Sequence, residues 1–306
     1  MKNNIMYYYN LPIDNIYQNN DYYYFDIRNE RYELVIYTRD IKEQQAIYEL
    51  NKKMIMSNIL VHEIIPNKDN YIVTIINNIP YILYKIYINK EKEISLSELT
   101  YLSNYNFEYD DILKRENWDT LWAKKIDYLE YQINQIGKKY PILVDSFSYF
   151  VGMAENAISY VKNTNLEVKK EQTDINVISH RKIKECNKLN CIYDPLNIVI
   201  DHKSRDLAEY IKTSFFKNNI KIFEELDQYF SNHYFSLYGI RILFARILYP
   251  SFYFDTYEEI ILNKKNESSI LEISNKIKEY EIYLKNIYLY LKRFYDIPEI
   301  EWLIKK

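Results

Sequence analysis

Glycine is nearly missing from this chain, which has only Gly137, Gly152 and Gly239 among its 306 residues. The shortage excludes whole function classes. A P-loop or a dinucleotide fingerprint needs glycines where the backbone closes on a phosphate, and neither GxGxxG nor GxxxxGK[ST] can be written anywhere. The G-x-S-x-G elbow of a serine hydrolase is absent for the same reason. The two cysteines, Cys186 and Cys191, are too few for a disulfide framework and fit a reducing compartment. Without a second cysteine pair they do not make a zinc signature. No apolar run reaches the roughly 18 residues of a membrane helix, so no membrane span is expected. The opening MKNNIMYYYNLPIDN lacks the apolar core of a secretory signal, so a cytoplasmic location is expected. A net charge of -3, from 40 basic and 43 acidic residues, offers no basic excess for nucleic acid.

Tyrosine is plentiful, with 35 residues, and together with Asn, Ile and Lys it reads as the coding bias of an AT-rich genome. Tyr, Ile and Val concentrate in DYYYFDIRN, RYELVIYT, YIVTIINN and IPYILYKIYI, four predicted strands separated by polar breaks at Arg28-Asn29-Glu30 and Asn77-Asn78. Tyr22, Tyr24 and Tyr32 on them should be half-buried. Between the second and third strands, Ile41, Ile47, Leu50 and Met54 predict an amphipathic helix. Beyond about residue 95 the periodicity turns helical. SLSELTYLSNYN is a short helix capped by Ser95 or Ser97. Trp118, Trp122, Ile126, Leu129, Ile133 and Ile136 mark another over 118–136, and SYFVGMAENAISYVKNT a third, in which Glu155 and Asn156 are polar exceptions. From Ile270 to Phe294 apolar residues step alternately by three and four. That stripe either pairs with a partner helix or packs on its own domain; the second is simpler, and helix 270–294 is the candidate interaction surface. The fold class expected is α+β, with a β-rich lobe at 1–92 and a mainly helical lobe at 93–306.

The stretch YDPLNIVIDHKSRDLAEYIK (193–212) joins an apolar strand to an amphipathic helix through a knot of charge. Ser204 can cap that helix, and Asp206 suits its first turn, where it can pair with Arg205 or another cation. His180, Glu185, Asp201 and His202 can be written as a metal set, but no tight pair such as HExxH supports one. Arg181, Lys182, Lys184, Lys203 and Arg205 form either a basic pocket or an ordinary solvated face.

The layout and this junction resemble the protein kinase-like fold, and within it the aminoglycoside and choline kinase-like phosphotransferases. Those carry HGD-x4-N, a strand ending in Asp, and a helix beginning near D-L-A. Here the order is His180-Arg181-Lys182, Asn187, a strand ending at Asp201, and Arg205-Asp206-Leu207-Ala208. More narrowly, WDTLWAKKIDYLEYQI, FSYFVGMAENAISYVKNT, VISHRKI, the junction itself and RILFARILYPSFYFDTYEE resemble the spore coat-associated, kinase-like proteins of endospore-forming bacteria, the CotS/YutH type.

The resemblance implies a two-lobe kinase-like fold and a phosphotransfer site, and its residues can be checked one by one. The base position falls on Lys182, a cation that cannot accept the acceptor's proton. Asp201 stands at the Mg²⁺-binding Asp, with Asn187 at the spacing of the second ligand, and salt bridges to Arg205 or Arg181 are the plain structural reading of Asp201. The phosphate-binding lysine falls near Val35, which carries no charge. The expectation is therefore an inactive, pseudokinase-like protein with no catalytic residue, no cofactor and a structural or interaction role. The resemblance places such a protein on the forespore surface with other coat proteins as partners. The alternative is an ATP- and Mg²⁺-dependent small-molecule phosphotransferase using Asp201.

Overall fold

A computed structural model describes residues 1–19, 22–87, 93–183 and 189–304 of the chain. Helix α1 (Lys2–Tyr9) leads into strands β1 (Tyr17–Asn19), β2 (Tyr22–Ile27) and β3 (Glu30–Ile36). Helix α2 (Gln44–Met56), then β4 (Glu63–Ile65), β5 (Thr74–Ile76) and β6 (Ile79–Ile86) complete the sheet. Every pairing is antiparallel. The strand order is β1-β2-β3-β6-β4, with β5 also on β6. Side-chain alternation divides the sheet's two faces. Phe25, Tyr32, Leu34, Tyr81 and Leu83 cluster with Ile5 and Tyr9 of α1. Ile82, Tyr84 and Ile86 cluster with Ile47, Leu50 and Met54 of α2. Three elements lack a sequence signal. β1 and β4 are three residues each, too short for a period to show, and α1 carries its two buried residues within a run of tyrosines that suits a strand equally well.

Asparagine does here what glycine usually does. Among the described residues, all positive φ values outside glycine fall on asparagines except that of Arg28, and no glycine has one. Asn77 (φ 53°) and Asn78 (φ 63°) close the β5–β6 hairpin between the paired Ile76 and Ile79. A two-residue loop with both residues left-handed is the hairpin turn that matches strand twist. Asn10, directly after α1, caps that helix in the same conformation. The β-branched variant Asn78→Val should therefore cost about 1–2 kcal/mol, whereas Asn78→Gly should be neutral or slightly stabilising; urea unfolding of both variants checks this.

The remaining elements are α3 (Leu96–Leu99), α4 (Trp118–Ile136), α5 (Pro141–Glu167), β7 (Asn176–His180), β8 (Ile198–His202) and α6 (Ser204–Phe216). They continue with α7 (Ile222–Asn232), α8 (Leu237–Leu248), α9 (Ser251–Ile261), α10 (Ser269–Asn275), α11 (Ile277–Lys292) and α12 (Glu301–Ile304). Ser95 caps α3 in a capping box with Glu98. The chain forms two compact units, one of residues 1–114 and 177–200, the other of 115–176 and 201–306. The expected division at residue 92 differs from this, because Leu102, Leu113, Ile178, Leu196, Ile198 and Ile200 belong to the same apolar cluster as α2 and β6.

In the second unit α4 buries Trp122, Ile126, Leu129 and Ile133, the stripe expected from its spacing. Phe150 of α5 stacks on Tyr253 of α9 at 3.8 Å. Tyrosines serve as core residues: Tyr253, Tyr257, Tyr280 and Tyr288 are fully buried. The expected helix 270–294 is two helices, broken at Lys276. Its stripe is not a free surface, since Ile270, Tyr280, Leu284, Ile287 and Leu291 are buried and only Phe294 is well exposed. Among the described residues no helix is long and apolar enough to cross a membrane.

Candidate functional site

His180-Arg181-Lys182 belong to the first unit. β7 ends at His180, which is buried and bonds the Ile192 carbonyl oxygen through Nε2 at 2.9 Å. A carbonyl can only accept, so Nε2 carries the proton. Asn197 holds the next two residues. Its carbonyl accepts from the Arg181 amide at 2.7 Å, its Oδ1 from the Lys182 amide at 3.1 Å, and its Nδ2 donates to the Lys182 carbonyl at 3.0 Å. The loop's main chain is thus firmly braced while the Lys182 side chain is exposed.

Val35 packs against the apolar cluster of α2. On the same face Glu33 is half-buried, and burial together with nearby Asp194 pushes its carboxyl up, against the pull of Arg31. Lys85 pairs with Glu30 at 2.5 Å. Among the described residues of this unit Arg39 is the buried arginine or lysine; its Nε bonds Glu43 at 2.5 Å while Nη1 donates to the carbonyls of Leu196 (3.0 Å) and Ile198 (2.7 Å).

Asp201, Arg205 and Asp206 lie in the second unit, together with His202. Asp201 is 1% exposed. Its Oδ1 accepts from Trp118 Nε1 at 3.0 Å, from Arg246 Nη2 at 2.6 Å and from the His202 amide at 2.7 Å; Oδ2 accepts from Arg205 Nη1 at 2.7 Å. The Trp118 ring in turn carries both guanidinia, with Arg246 at 4.5 Å and Arg205 at 5.0 Å from its centroid. An ionised carboxylate has about four acceptor positions, two on each oxygen; three N–H donors crowd Oδ1 and one meets Oδ2. The expected Asp201–Arg205 bridge is present, one helical turn apart. Nothing local in the sequence links Trp118 or Arg246 to Asp201, although Arg241 and Arg246 stand as charges inside the otherwise apolar run IRILFARILY, a pattern that demands buried partners.

Ser204 does not cap α6. It is the first helical residue, Lys203 precedes it as the cap position without a side-chain bond, and the Ser204 hydroxyl lies 2.8 Å from His202 Nδ1. Asp206 is buried in the first turn, and Arg205 reaches Asp201. His202 Nδ1 also accepts from the Ser204 amide at 3.2 Å, which leaves the proton on Nε2, 3.5 Å from Asp174 Oδ1. Asp174 accepts from the Ser236 hydroxyl at 2.6 Å and the Glu171 amide at 2.7 Å. Gly239 packs closely here, since a Cβ there would sit 3.0 Å from Asp174 Oδ1 and press on it.

Burial lowers the His202 pKa, and the attraction of Asp174 only partly opposes it. Burial pushes Asp174 up, but hydrogen bonds from His202, Ser236 and the Glu171 main chain outweigh it and leave the carboxyl below its ordinary value. The unfolded chain takes up the histidine proton at about pH 6.5 while the folded one resists it, so stability should be full above that pH and fall as pH drops below it. Urea unfolding at several pH values should show this slope, and His202→Asn should flatten its upper part.

Of the expected metal set, His180 is in the first unit and Asp201 and His202 in the second; Glu185, Lys184 and the expected second ligand Asn187 lie outside the described residues. No cluster of three metal-ligating side chains occurs among the described residues. Glu155 is exposed, and Asn156 donates to the Gly152 carbonyl at 2.7 Å.

Comparison with known proteins agrees with this layout. The family described as "Spore coat putative kinase YutH" matches residues 2–290. The endospore coat-associated protein YutH of Bacillus subtilis (strain 168) is 30% identical over 223 residues, 66% of this chain and 65% of the relative, so just under two thirds of that protein's length is matched. Among solved structures, an aminoglycoside phosphotransferase from Alicyclobacillus acidocaldarius superposes with a TM-score of 0.64 at 10% identity, covering 94% of this chain and 96% of the other. A spectinomycin phosphotransferase in complex with ADP and spectinomycin superposes with a TM-score of 0.60 at 14% identity, over 90% and 92%. At such identities the likeness is one of fold: a kinase-like fold, with an antiparallel sheet region followed by helices.

Proposed function

We propose that this chain, which belongs to the spore coat YutH family, is a kinase-like scaffold without phosphotransfer activity that works in the coat through its surface. The observation that carries the reading is the Asp201 carboxylate held by two arginines, an indole and a main-chain amide. Mg²⁺ needs oxygen ligands with lone pairs to spare, and here three N–H groups occupy Oδ1 while the Arg205 guanidinium holds Oδ2. Two guanidinia within hydrogen-bond distance of that carboxylate also repel a metal. Two unit charges 4 Å apart interact by about 4 kcal/mol at an effective dielectric of 20, and a divalent ion roughly doubles this for each arginine. In effect Arg205 and Arg246 stand where a metal's charge would be. Lys182 at the base position and the acidic Glu33 near the phosphate-lysine position support the same reading, because both reverse the charge the chemistry needs.

The coat assignment draws on the relative, which is coat-associated; coat proteins are the partners it implies, and no resident cofactor is required. The alternative is an ATP- and Mg²⁺-dependent small-molecule phosphotransferase, to which the fold of the solved neighbours lends support. ADP release with ATP, Mg²⁺ and a panel of amino alcohols and aminoglycosides distinguishes the two. The scaffold reading expects no release above the rate of the Asp201→Ala variant, and release that this substitution abolishes would establish the alternative. A fluorescent fusion made in sporulating Bacillus subtilis should collect at the forespore surface, and a uniformly diffuse signal would count against the coat role.

A further inference from the structure

A cavity of about 250 Å³ lies within the helical unit beside the Asp201 cluster, with Trp118, Trp122, Val161, Tyr238 and Ile242 as apolar lining. Its polar lining is uneven in what it has left to offer. The acids are engaged: Asp201 by four donors, Asp174 by Ser236 and the Glu171 amide, and Glu116 by Asn176 Nδ2 at 2.9 Å. The donors are less well served. Arg246 and His202, 4% and 8% exposed, both line the cavity. Arg246 Nε has no hydrogen-bond partner, and His202 Nε2 has none shorter than its 3.5 Å separation from Asp174. Lys170 is exposed on the same lining, sits 5.3 Å from the Tyr238 ring centroid, and makes no ion pair among the described residues. Buried donors without acceptors are costly and uncommon; Arg246 Nε has none and His202 Nε2 only the long contact to Asp174, and an anion in the cavity would serve both.

We infer that this cavity is a binding site for a small organic anion with a flat apolar body, of the class of aromatic carboxylates. The carboxylate matches Arg246 Nε, the weakly held His202 Nε2 and Lys170, and the ring matches the tryptophan, valine and isoleucine walls. The volume falls below the roughly 300–1,000 Å³ of sites for larger ligands, which suits a single ring and excludes a nucleotide. The site therefore goes beyond the scaffold reading and does not depend on it.

Benzoate is the probe. Saturation-transfer NMR on the full chain, with tryptophan fluorescence as a second readout because Trp118 and Trp122 line the cavity, should show saturable binding at or below about 1 mM, a binding energy of the size expected for one ring and one charge pair. Lys170→Glu, at an exposed position, should weaken it about tenfold or more, and Asn165→Trp, which crowds the same cavity from the exposed face of α5, should abolish it; an unchanged melting temperature shows that both variants fold. Benzylamine, the same ring with the opposite charge, should not bind. No saturation with benzoate, equal binding of benzylamine, or benzoate binding untouched by both variants would each overturn the inference. Neither metal nor nucleotide is present, so a protein that did bind ATP would leave the outcome unaffected.

Discussion

Asp201→Asn is expected to lower the stability of the protein by about 3–5 kcal/mol, the usual cost of removing one partner from a buried ion pair. The substitution keeps shape and removes charge. Arg246, 4% exposed and without a partner on its Nε, would then face Arg205 with no anion between them, and the Trp118 indole would lose an ionised acceptor. The sign is diagnostic. A carboxylate reserved for a metal is poorly satisfied when the metal is away, so neutralising it leaves the metal-free protein unchanged or more stable. A carboxylate already bridged by two arginines behaves in the opposite way. Arg246→Met, similar in length but uncharged, should be destabilising too, and combining it with Asp201→Leu should recover part of the loss because both buried charges are then gone. Thermal and urea unfolding of the single and double variants give the coupling directly.

Arg39→Ala should cost the sheet-bearing unit about 3 kcal/mol. Arg39 connects Glu43 at the start of α2 with two main-chain carbonyls of the segment leading into β8, and charge-assisted hydrogen bonds of this kind contribute roughly 1.5–3 kcal/mol each when their partners are buried. Lysine should not substitute for it, since a single ammonium cannot reproduce the fork that reaches a carboxylate from one edge and two carbonyls from another. Hydrogen exchange is the suitable readout, because a two-unit chain need not unfold in one step. The expected result is faster exchange in α2 and β8 for both Arg39→Ala and Arg39→Lys; protection equal to the parent in either variant would contradict the assigned role.

Which of these features the sequence exposes follows from their range. Helix α4 runs over 118–136 as its apolar spacing indicates, and the hairpins fall where Arg28-Asn29 and Asn77-Asn78 interrupt the strand patterns, because those signals are local. The Asp201–Arg205 pair is equally local, four residues apart on the turn into α6. The other half of the cluster is not: Trp118 is 83 residues before Asp201 and Arg246 is 45 after it, and no period links them. Charge inside an apolar run was the available clue for Arg246, whereas Asn51, whose amide spans the His62 carbonyl and the Ile64 amide, sits among Glu49, Lys52 and Lys53 and carries no such clue. Ser204 illustrates the opposite failure. Its residue type and position both suit a cap, but His202 two residues earlier competes for its hydroxyl. The heptad stripe was legible as a stripe, yet the residues that bury it come from the rest of the helical unit, so its availability could not be read locally.

If the arginines beside Asp201 leave no place for Mg²⁺ with a nucleotide, thermal unfolding of the purified chain with and without millimolar ATP and Mg²⁺ shows it most directly. A ligand that binds only the folded state stabilises it by RT ln(1 + [L]/Kd), about 2.7 kcal/mol at a hundredfold excess over Kd. The predicted result is no metal-dependent change in melting temperature. A clear upward shift that needs both ATP and Mg²⁺, and that disappears in Asp201→Asn, would contradict it and make this chain a phosphotransferase.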